Sequence, residues 1–334
     1  MTIQKTSIAV LGAGSWGTAL ALVIARNGYT VRLWDYCRQH INDLIRQREN
    51  IRYLPGYQLP SIIEPVADLH QALETVNEVL VVVPSHGFAA LMASMSGLAD
   101  DIGLAWATKG LEPGSNRLLH EVATEVLNNR DFAVISGPSF AGEVAQGLPT
   151  AVTVASPNLT LARRVSTYLH GERFRTYTSD DHIGVQVGGA AKNVLAIATG
   201  ISDGLCFGAN TRAAIITRGL AEITRLGMAL GGRLETFIGL AGLGDLVLTC
   251  TDNQSRNRRM GLALARGNTV EEARGAIGQE VEGIITASAI HALAKRLGIE
   301  MPISEQVYRV LYKGVTPDDA TRNLLAREGK SEWY

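Results

Sequence analysis

The string Gly12-Ala13-Gly14-Ser15-Trp16-Gly17 constrains this chain more than any other feature, because of what stands on either side of it. An apolar, β-branched run, Ser7–Leu11, precedes it, and a helix-period segment, Gly17–Asn27, follows. Glycines at this spacing between a strand and a helix form the turn that brings backbone up to a pyrophosphate. Gly12 permits the tight turn, Gly14 leaves room for the anion, and Gly17 lets helix and strand pack closely. The helix that starts there offers free N–H groups and positive potential. Asp35, at the end of a second apolar run, Thr30–Trp34, is placed to hold a ribose 2′-hydroxyl, which favours NAD. Arg32 and Arg38 are suited instead to a 2′-phosphate, so NAD and NADP both stay open.

The alternation continues with apolar runs at Val79–Val83, Gly103–Ala107, Ala133–Ser136, Ala151–Ala155 and near Phe174–Thr178. Near-continuous apolar strands separated by helical segments predict a parallel sheet covered on both faces. After Thr178 the β-branched bursts stop. Ala213–Leu230 sets Ile216, Leu220, Ile223 and Leu226 on one stripe, and Ala287–Leu297 and Glu305–Lys313 read the same way. Ser179-Asp180-Asp181 suits a helix entry, since such side chains satisfy first-turn N–H groups. The expected fold is an α/β Rossmann-type doubly wound parallel sheet followed by an all-α C-terminal domain. The expected division is a dinucleotide-binding domain over residues 1–180 and a helical, substrate-binding domain over 181–334.

Composition excludes other classes. The 35 glycines in 334 residues exceed the usual share of about 7%, but they show no period and only 10 prolines accompany them. A net charge of −1 gives no global field for nucleic acid or an acidic membrane. Cys37, Cys206 and Cys250 form no C-x-x-C and fit reduced thiols in a cytoplasmic protein. The opening MTIQKTSIAVLGAG reads as neither signal peptide nor anchor, and no run approaches the ~20 apolar residues of a membrane span. His120-Glu121 begins a zinc-protease string that fails at Thr124, and the scattered histidines predict no metal site. No P-loop appears.

Ligands of open α/β sheets collect beyond the carboxyl ends of the strands. Val83-Pro84-Ser85, Ala107-Thr108-Lys109-Gly110 and Gly137-Pro138-Ser139-Phe140-Ala141 fall there. Lys109 is poorly placed for a solvated lysine and well placed for an anion; Gly137 and Ser139 supply donors or simply a turn. Gly188-Gly189 lies in a helical segment, where each glycine costs on the order of 1 kcal/mol against alanine, so close approach of a ligand or another backbone is expected. Lys192 and Asn193 would then face an interdomain cleft, where a partly dry lysine exchanges protons near neutral pH. Gly239–Gly244 ends in Asp245, read either as a site acid or as a helix cap in a loop. In Ser255-Arg256-Asn257-Arg258-Arg259, Arg256 can grip a phosphate bidentately and Asn257 can add an amide; the bland alternative is a basic helix face.

Taken in order, GAGSWGTALA at 12–21, VVVPSH at 81–86, WATKGLE at 106–112, ISGPSFAGE at 135–143 and GGAAKNVLAIATG at 188–200 form a specific combination. FGANTRAAIITRGLAE at 207–222, GLAGLGDLVLTCTDNQSRNRRMG at 239–261 and VEG at 281–283 complete it. From Ile8 to about Tyr312 the chain resembles the bacterial NAD(P)-dependent sn-glycerol-3-phosphate dehydrogenase family. The resemblance implies interconversion of dihydroxyacetone phosphate and sn-glycerol 3-phosphate for glycerophospholipid synthesis, in a cytoplasmic homodimer joined through the helical domain. It implies dinucleotide contacts from Gly12, Gly14, Ser15, Trp16 and Gly17, with Tyr36 near the adenosine end. Lys109 would touch cofactor and substrate, Ala141 the cofactor, and Gly137 and Ser139 the substrate. Lys192 would be the general acid/base, with Asp245, Ser255, Arg256 and Asn257 completing the substrate pocket. Arg256 and Glu282 would also reach the cofactor, and no metal is required. Glu280 departs from the pattern, standing where relatives carry an apolar residue.

Two other readings compete. A hydroxyacid dehydrogenase of similar build would take a carboxylate in place of the phosphate held by Ser255–Asn257. A non-catalytic dinucleotide sensor would bind cofactor and be indifferent to Lys192. The glycine clusters at Gly12–Gly17, Gly137, Gly188–Gly189 and Gly239–Gly244 are expected to line the cleft.

Overall fold

The computed structural model describes residues 6–99, 101–329 and 331. The first five residues of the opening segment and the extreme ends of both expected domains lie outside the described residues. Strands are β1 (Ser7–Leu11), β2 (Thr30–Trp34), β3 (Glu49–Asn50), β4 (Leu54–Gln58), β5 (Ile63–Val66) and β6 (Glu78–Val81). They continue with β7 (Gly103–Trp106), β8 (Phe132–Ser136), β9 (Thr150–Ala155) and β10 (Phe174–Ser179). Among them run α1 (Ser15–Arg26), α2 (Arg38–Gln47), α3 (Leu69–Leu73), α4 (Ser85–Ser94), α5 (Leu119–Val126), α6 (Ala141–Gln146) and α7 (Leu159–Leu169). Helices alone follow: α8 (His182–Gly204), α9 (Gly208–Ala229), α10 (Leu234–Phe237), α11 (Asp245–Thr251), α12 (Arg256–Ala265) and α13 (Val270–Ile277). The last are α14 (Glu282–Leu297), α15 (Pro302–Tyr312) and α16 (Pro317–Leu325).

Eight strands form one sheet in the order β10-β9-β8-β7-β6-β1-β2-β5, while β3 and β4 pair separately. The strand order reverses beside β1, the switch point where dinucleotides bind in such sheets. Alternate residues of a strand feed opposite faces: Ile8 and Val10 enter one core with α1 and α7, Ala9 and Leu11 the other with α4 and α5. The sheet is therefore covered on both faces, as its apolar strands demand.

Besides the separate β3–β4 pair, which was not expected either, two details of the main sheet differ from the expectation. The sheet is not wholly parallel, because β9 runs antiparallel to β8, pairing Val134 with Ala155 and Ser136 with Thr153, while β10 is parallel to β9. The link from β8 to β9 holds only the short α6, and a short link suits antiparallel neighbours where a parallel pair needs a full crossover. The edge strand β5 was also absent from the expected set. It carries Glu64 and Pro65, and proline is tolerated in a sheet at such an edge.

The helical half is organised on α8, buried without a break from Gly184 to Ser202. An apolar surface on all sides marks a core helix, and α9, α11, α12, α14 and α15 pack around it. Its entry is capped as expected: Asp181 accepts from the Gly184 amide at 2.8 Å, and its other oxygen takes Arg233 N and Thr236 Oγ1. One stretch, Leu234–Thr251, is long and apolar enough by composition to cross a bilayer. Here it is folded into the helical half and carries Asp245, buried beside two lysines.

Candidate active site

The glycine turn has the geometry its spacing predicts. Gly12 has φ +120°, and a Cβ there would meet Val82 O at 2.6 Å; a Cβ on Gly17 would fall on Gly12 O. Gly14 differs: nothing in the protein lies within 4 Å of its added Cβ. Its neighbours therefore do not require the glycine, and open space above a helix N-terminus fits a dinucleotide phosphate. The first turn of α1 also has no side-chain cap, so its N–H groups remain for a ligand. The indole N–H of Trp16 is buried without a partner, and Tyr36 is 83% exposed beside the end of β2. Ala141 opens α6. Of the two arginines suited to a 2′-phosphate, Arg32 is committed elsewhere: it donates to Gln71 O at 2.8 Å and to Glu74 O beyond the end of α3.

Beyond the strand ends, two lysines from opposite halves meet one carboxylate. Lys109, after β7, lies 2.6 Å from Asp245 Oδ2, and Lys192 on α8 pairs with Asp245 Oδ1. Lys192 also donates to Thr249 Oγ1 at 3.0 Å, and Thr249 in turn donates to the Asp245 carbonyl at 2.6 Å. Lys192 and Asp245 are both buried. Burial is the largest influence on Lys192; Asp245 opposes it and Lys109 reinforces it, leaving the ammonium lowered to about 7. For Asp245, burial favours the neutral acid, but Lys109 and Lys192 outweigh it and hold the carboxyl below its ordinary range. A buried lysine poised near neutrality is suited to proton transfer.

Backbone proximity explains the glycines beside Lys192. A Cβ on Gly188 would meet Ala241 O at 2.5 Å, and one on Gly189 would meet Ser136 Oγ at 2.7 Å. The pair thus lets α8 touch both the strand end and the segment before Asp245. That segment, Leu240–Gly244, is a π-helical turn running straight into α11, not a loop, and Asp245 is the first residue of α11 rather than its cap. Such turns recur at functional sites. Of the two reasons expected for this pair, a ligand or another backbone, the structure shows protein contact: Gly188 meets the Ala241 backbone and Gly189 the Ser136 side chain.

The remaining expected residues gather around this centre. Gly137 has φ +152° and a Cβ there would meet Val152 Cα at 2.9 Å; its carbonyl accepts from Lys109 at 3.3 Å and from Ser139 Oγ at 2.8 Å. Ser255 caps α12, accepting from Arg258 N at 3.2 Å. Asn257 joins three elements: it donates to Asn193 Oδ1 at 2.9 Å and accepts from Gly283 N at 2.9 Å. Arg256, on the first turn of α12, has the neutral Gln279 as its hydrogen-bond partner at 3.4 Å. Burial lowers its pKa, Glu282 opposes this and Arg259 adds to it. Glu282 bridges the halves, accepting from Ser85 N at 3.0 Å and Ser85 Oγ at 2.7 Å, and burial raises its carboxyl.

Arg258 is not part of a basic face. It is buried, pairs with Asp203 and donates from Nε to Asn253 at 3.0 Å, tying α12 to the end of α8. Sequence reasoning missed Thr249 and the role of Ser85. The signal for Thr249 was its place one turn after Asp245, where both face the same side of a helix. Among the described residues no group of three His, Cys, Asp or Glu is arranged to hold a metal ion. A cavity of about 600 Å³ lies away from this centre, lined by Ile201, Ile215, Val307 and Leu324 among others, with neither lysine in its wall. Convergent titratable groups locate chemistry better than apolar volume does.

Residues 7–162 match the family profile described as NAD-dependent glycerol-3-phosphate dehydrogenase N-terminus, and residues 181–322 match its C-terminus counterpart. The chain is 55% identical over 333 residues to the glycerol-3-phosphate dehydrogenase [NAD(P)+] of Methylococcus capsulatus, covering 99% of each. It is 56% identical to that of Nitrosococcus oceani, covering 97% of this chain and 95% of the relative. The crystal structure of glycerol-3-phosphate dehydrogenase from Coxiella burnetii superposes with a TM-score of 0.94 at 53% identity, covering 97% of this chain and 99% of that one.

Proposed function

The chain belongs to the NAD-dependent glycerol-3-phosphate dehydrogenase family and is an NAD(P)-dependent oxidoreductase of glycerol 3-phosphate, and we propose that Lys192 is its general acid/base. The observation that carries this role is the buried Lys192–Asp245–Lys109 group, built from both halves at the carboxyl ends of the strands. The open space over Gly14 and the uncapped start of α1 fit a dinucleotide, held by Gly12, Gly14, Ser15, Trp16, Gly17, Tyr36, Lys109, Ala141, Arg256 and Glu282. When bound in its reduced form, that cofactor supplies a hydride to the ketone carbon of dihydroxyacetone phosphate.

As hydride arrives, negative charge grows on the carbonyl oxygen. Lys192 as ammonium stabilises that oxygen and delivers its proton, giving the secondary hydroxyl; in the reverse direction its neutral amine removes the same proton. Asp245 holds the amine in place from one side and Thr249 from the other. Lys109 shares the carboxylate, so Asp245 cannot fully neutralise Lys192, and the proton stays mobile. Arg256 is a part-buried cation whose hydrogen-bond partner is neutral, while Glu282 is taken by Ser85, so a phosphate dianion completes its pairing. Ser255, Asn257, Gly137 and Ser139 frame the same pocket. Binding the remote phosphate orients the ketone against Lys192.

The division at residue 180, the homodimer through the helical half, the cytoplasmic setting and the supply of glycerophospholipid synthesis belong to the same proposal. Its support is the change of architecture between β10 and α8 and the identity to the bacterial relatives. Loss of reduced-nicotinamide absorbance with dihydroxyacetone phosphate and with a matched keto acid tests the substrate. Reaction of the keto acid alone would sink the phosphate pocket. Cofactor binding without turnover of either would favour a sensor.

A further inference from the structure

We propose that Arg258 is the positioning residue that keeps Arg256 and Asn257 in register with Lys192; the inference rests on the phosphate pocket proposed above. Residues 256–258 are consecutive on the first turn of α12, so their side chains leave the helix about 100° apart. Arg256 reaches Gln279, and Asn257 reaches Asn193 and Gly283, on the side of the proposed pocket. Arg258 turns inward. Its Nη1 pairs with Asp203 and donates to Cys250 O at 3.3 Å, while Nε donates to Asn253 Oδ1 at 3.0 Å. One guanidinium therefore joins the last turn of α8, the last turn of α11 and the connector before α12. Asp203 takes a second cation, Arg212 of α9, at 2.8 Å, and the Arg258 and Asp203 side chains are only 8% and 10% exposed.

Packing between α8 and α12 fixes their separation better than their register. At the close approach Gly200 and Gly261 bring backbone against backbone, and a contact without side chains has no ridge to lock into a groove. The connector adds little, since Asp252, Asn253 and Gln254 are exposed. Directional bonds from a buried cation supply what is missing. Asp203 lies about three turns beyond Lys192 on the same face of α8, roughly 16 Å along its axis. At one end of that face Lys192 grips Asp245, the first residue of α11; at the other Asp203 grips Arg258, on the first turn of α12. The α11–α12 unit is thus held on α8 at two points. Cutting the second lets the unit pivot about the first. Lys192 and Asp245 stay at the hinge, while Arg256, two residues from the cut, moves most.

The test compares, in the full chain, kcat/KM for dihydroxyacetone phosphate with that for dihydroxyacetone, which carries nothing for Arg256 to hold. Arg258→Met leaves Asp203 with one cation fewer. The paired variant Asp203→Leu/Arg258→Met is therefore read beside it: it removes both buried charges, and Arg212, 32% exposed, turns to solvent. In both variants kcat/KM for the phosphate ester is expected to fall about a hundredfold, mainly through KM, the scale of a misplacement by about 1 Å. The value for dihydroxyacetone, the affinity for reduced cofactor and the pH at which kcat turns are expected to stay as in wild type. Arg258→Lys keeps the charge but not the fork that reaches Asp203, Cys250 and Asn253 together, and is expected to recover about tenfold of the loss. A proportional loss for both ketones, or loss of cofactor binding, makes Arg258 a prop of the fold and overturns the proposal. Failure of the paired variant to fold does the same, and so do unchanged values for both ketones. Arg256→Ala separates this inference from the reading beneath it. If that variant loses the preference for the phosphate ester while the Arg258 variants keep it, the pocket stands and the positioning role falls. If Arg256→Ala keeps the preference, the phosphate pocket falls and the positioning role with it.

Discussion

In the sheet half, two glycines of the site lie at strand ends with positive φ: Gly12 at +120° after β1 and Gly137 at +152° after β8. In the helical half they sit inside helices, where space is the constraint. A Cβ on Gly188 would meet Ala241 O, one on Gly200 would fall on Arg258 O, and one on Gly261 on Ile197 O. The first set turns the chain sharply at the strand ends, where a Cβ on Gly12 would meet Val82 and one on Gly137 would meet Val152. The second brings helices backbone to backbone, α8 onto the π-helical turn and onto α12, and so fixes where Lys192 and Asp245 stand. Recognition of the cofactor and placement of the acid/base are therefore separable by substitution.

The largest expected effect comes from Lys192→Ala. Loss of a positioned acid/base is expected to lower kcat by about a thousandfold, within the usual range for such groups. Binding of reduced cofactor to the sheet half is expected to stay within about threefold, since Lys192 is not in the glycine turn. Steady-state kinetics and a binding titration on one preparation check both halves of the statement. Near-normal kcat breaks the assignment, and loss of cofactor binding breaks the separation.

Next come paired glycine substitutions. Gly188→Ala forces a methyl on α8 against the Ala241 carbonyl of the π-helical turn, so about 1–3 kcal/mol of stability is expected to be lost, with reduced kcat. Gly14→Ala meets nothing in the protein and Gly14 has φ −72°, so its stability is expected to change by less than about 0.5 kcal/mol. Its deficit is expected in cofactor affinity, where the methyl intrudes on the phosphate. Chemical denaturation and cofactor titration of both variants separate the two. Equal stability of the two variants would show that the contrast between halves is wrong.

The pH dependence is smaller in amplitude and specific in sign. Burial carries Lys192 down to about 7. Reduction of the ketone needs the ammonium, so kcat in that direction is expected to fall about tenfold per pH unit well above that value. Oxidation of the alcohol needs the free amine, so kcat is expected to rise through the same range. Asp245 favours the charged lysine, so Asp245→Asn is expected to move both limbs to lower pH. Parallel limbs in the two directions would rule out Lys192 as the shared group.

The sheet half was the more legible from sequence because its signals are local. The glycine spacing, the apolar runs and Asp35 each speak within a few residues, and the structure sets β1, β2 and α1 where those signals fall. What failed there was strand direction and the edge: a buried apolar strand reads alike in either sense, so β9 gave no warning, and Glu64 with Pro65 concealed β5. The helical half was legible as helices but not as a site. Lys192 in isolation reads as a surface lysine; its meaning depends on Asp245, 53 positions away, and on Lys109 from the other half. Arg258 read as part of a basic face, and only the fold brings Asp203 to it. Asn257 and Asn193, 64 positions apart, carry no sequence sign of their pairing. The family resemblance supplied roles that spacing could not.

The smallest effect expected concerns the seam between the halves. Ser85 donates twice to Glu282, once from its backbone at the start of α4 and once from its hydroxyl. Ser85→Ala removes only the second, so about 1.5–3 kcal/mol is the ceiling for a bond to a charged group, and the retained amide bond keeps the loss near the low end. Its consequence is expected in cofactor KM, raised a few-fold at constant kcat, because Glu282 lies on the proposed cofactor side and Lys192 is untouched. Burial already raises the Glu282 carboxyl and the hydroxyl opposes that rise, so the alanine variant is expected to lose cofactor affinity at a higher pH than wild type as acid is added. A KM profile against pH checks this. If kcat falls instead while KM holds, the seam positions Lys192 as well, and the two halves are coupled more tightly than their separate glycines suggest.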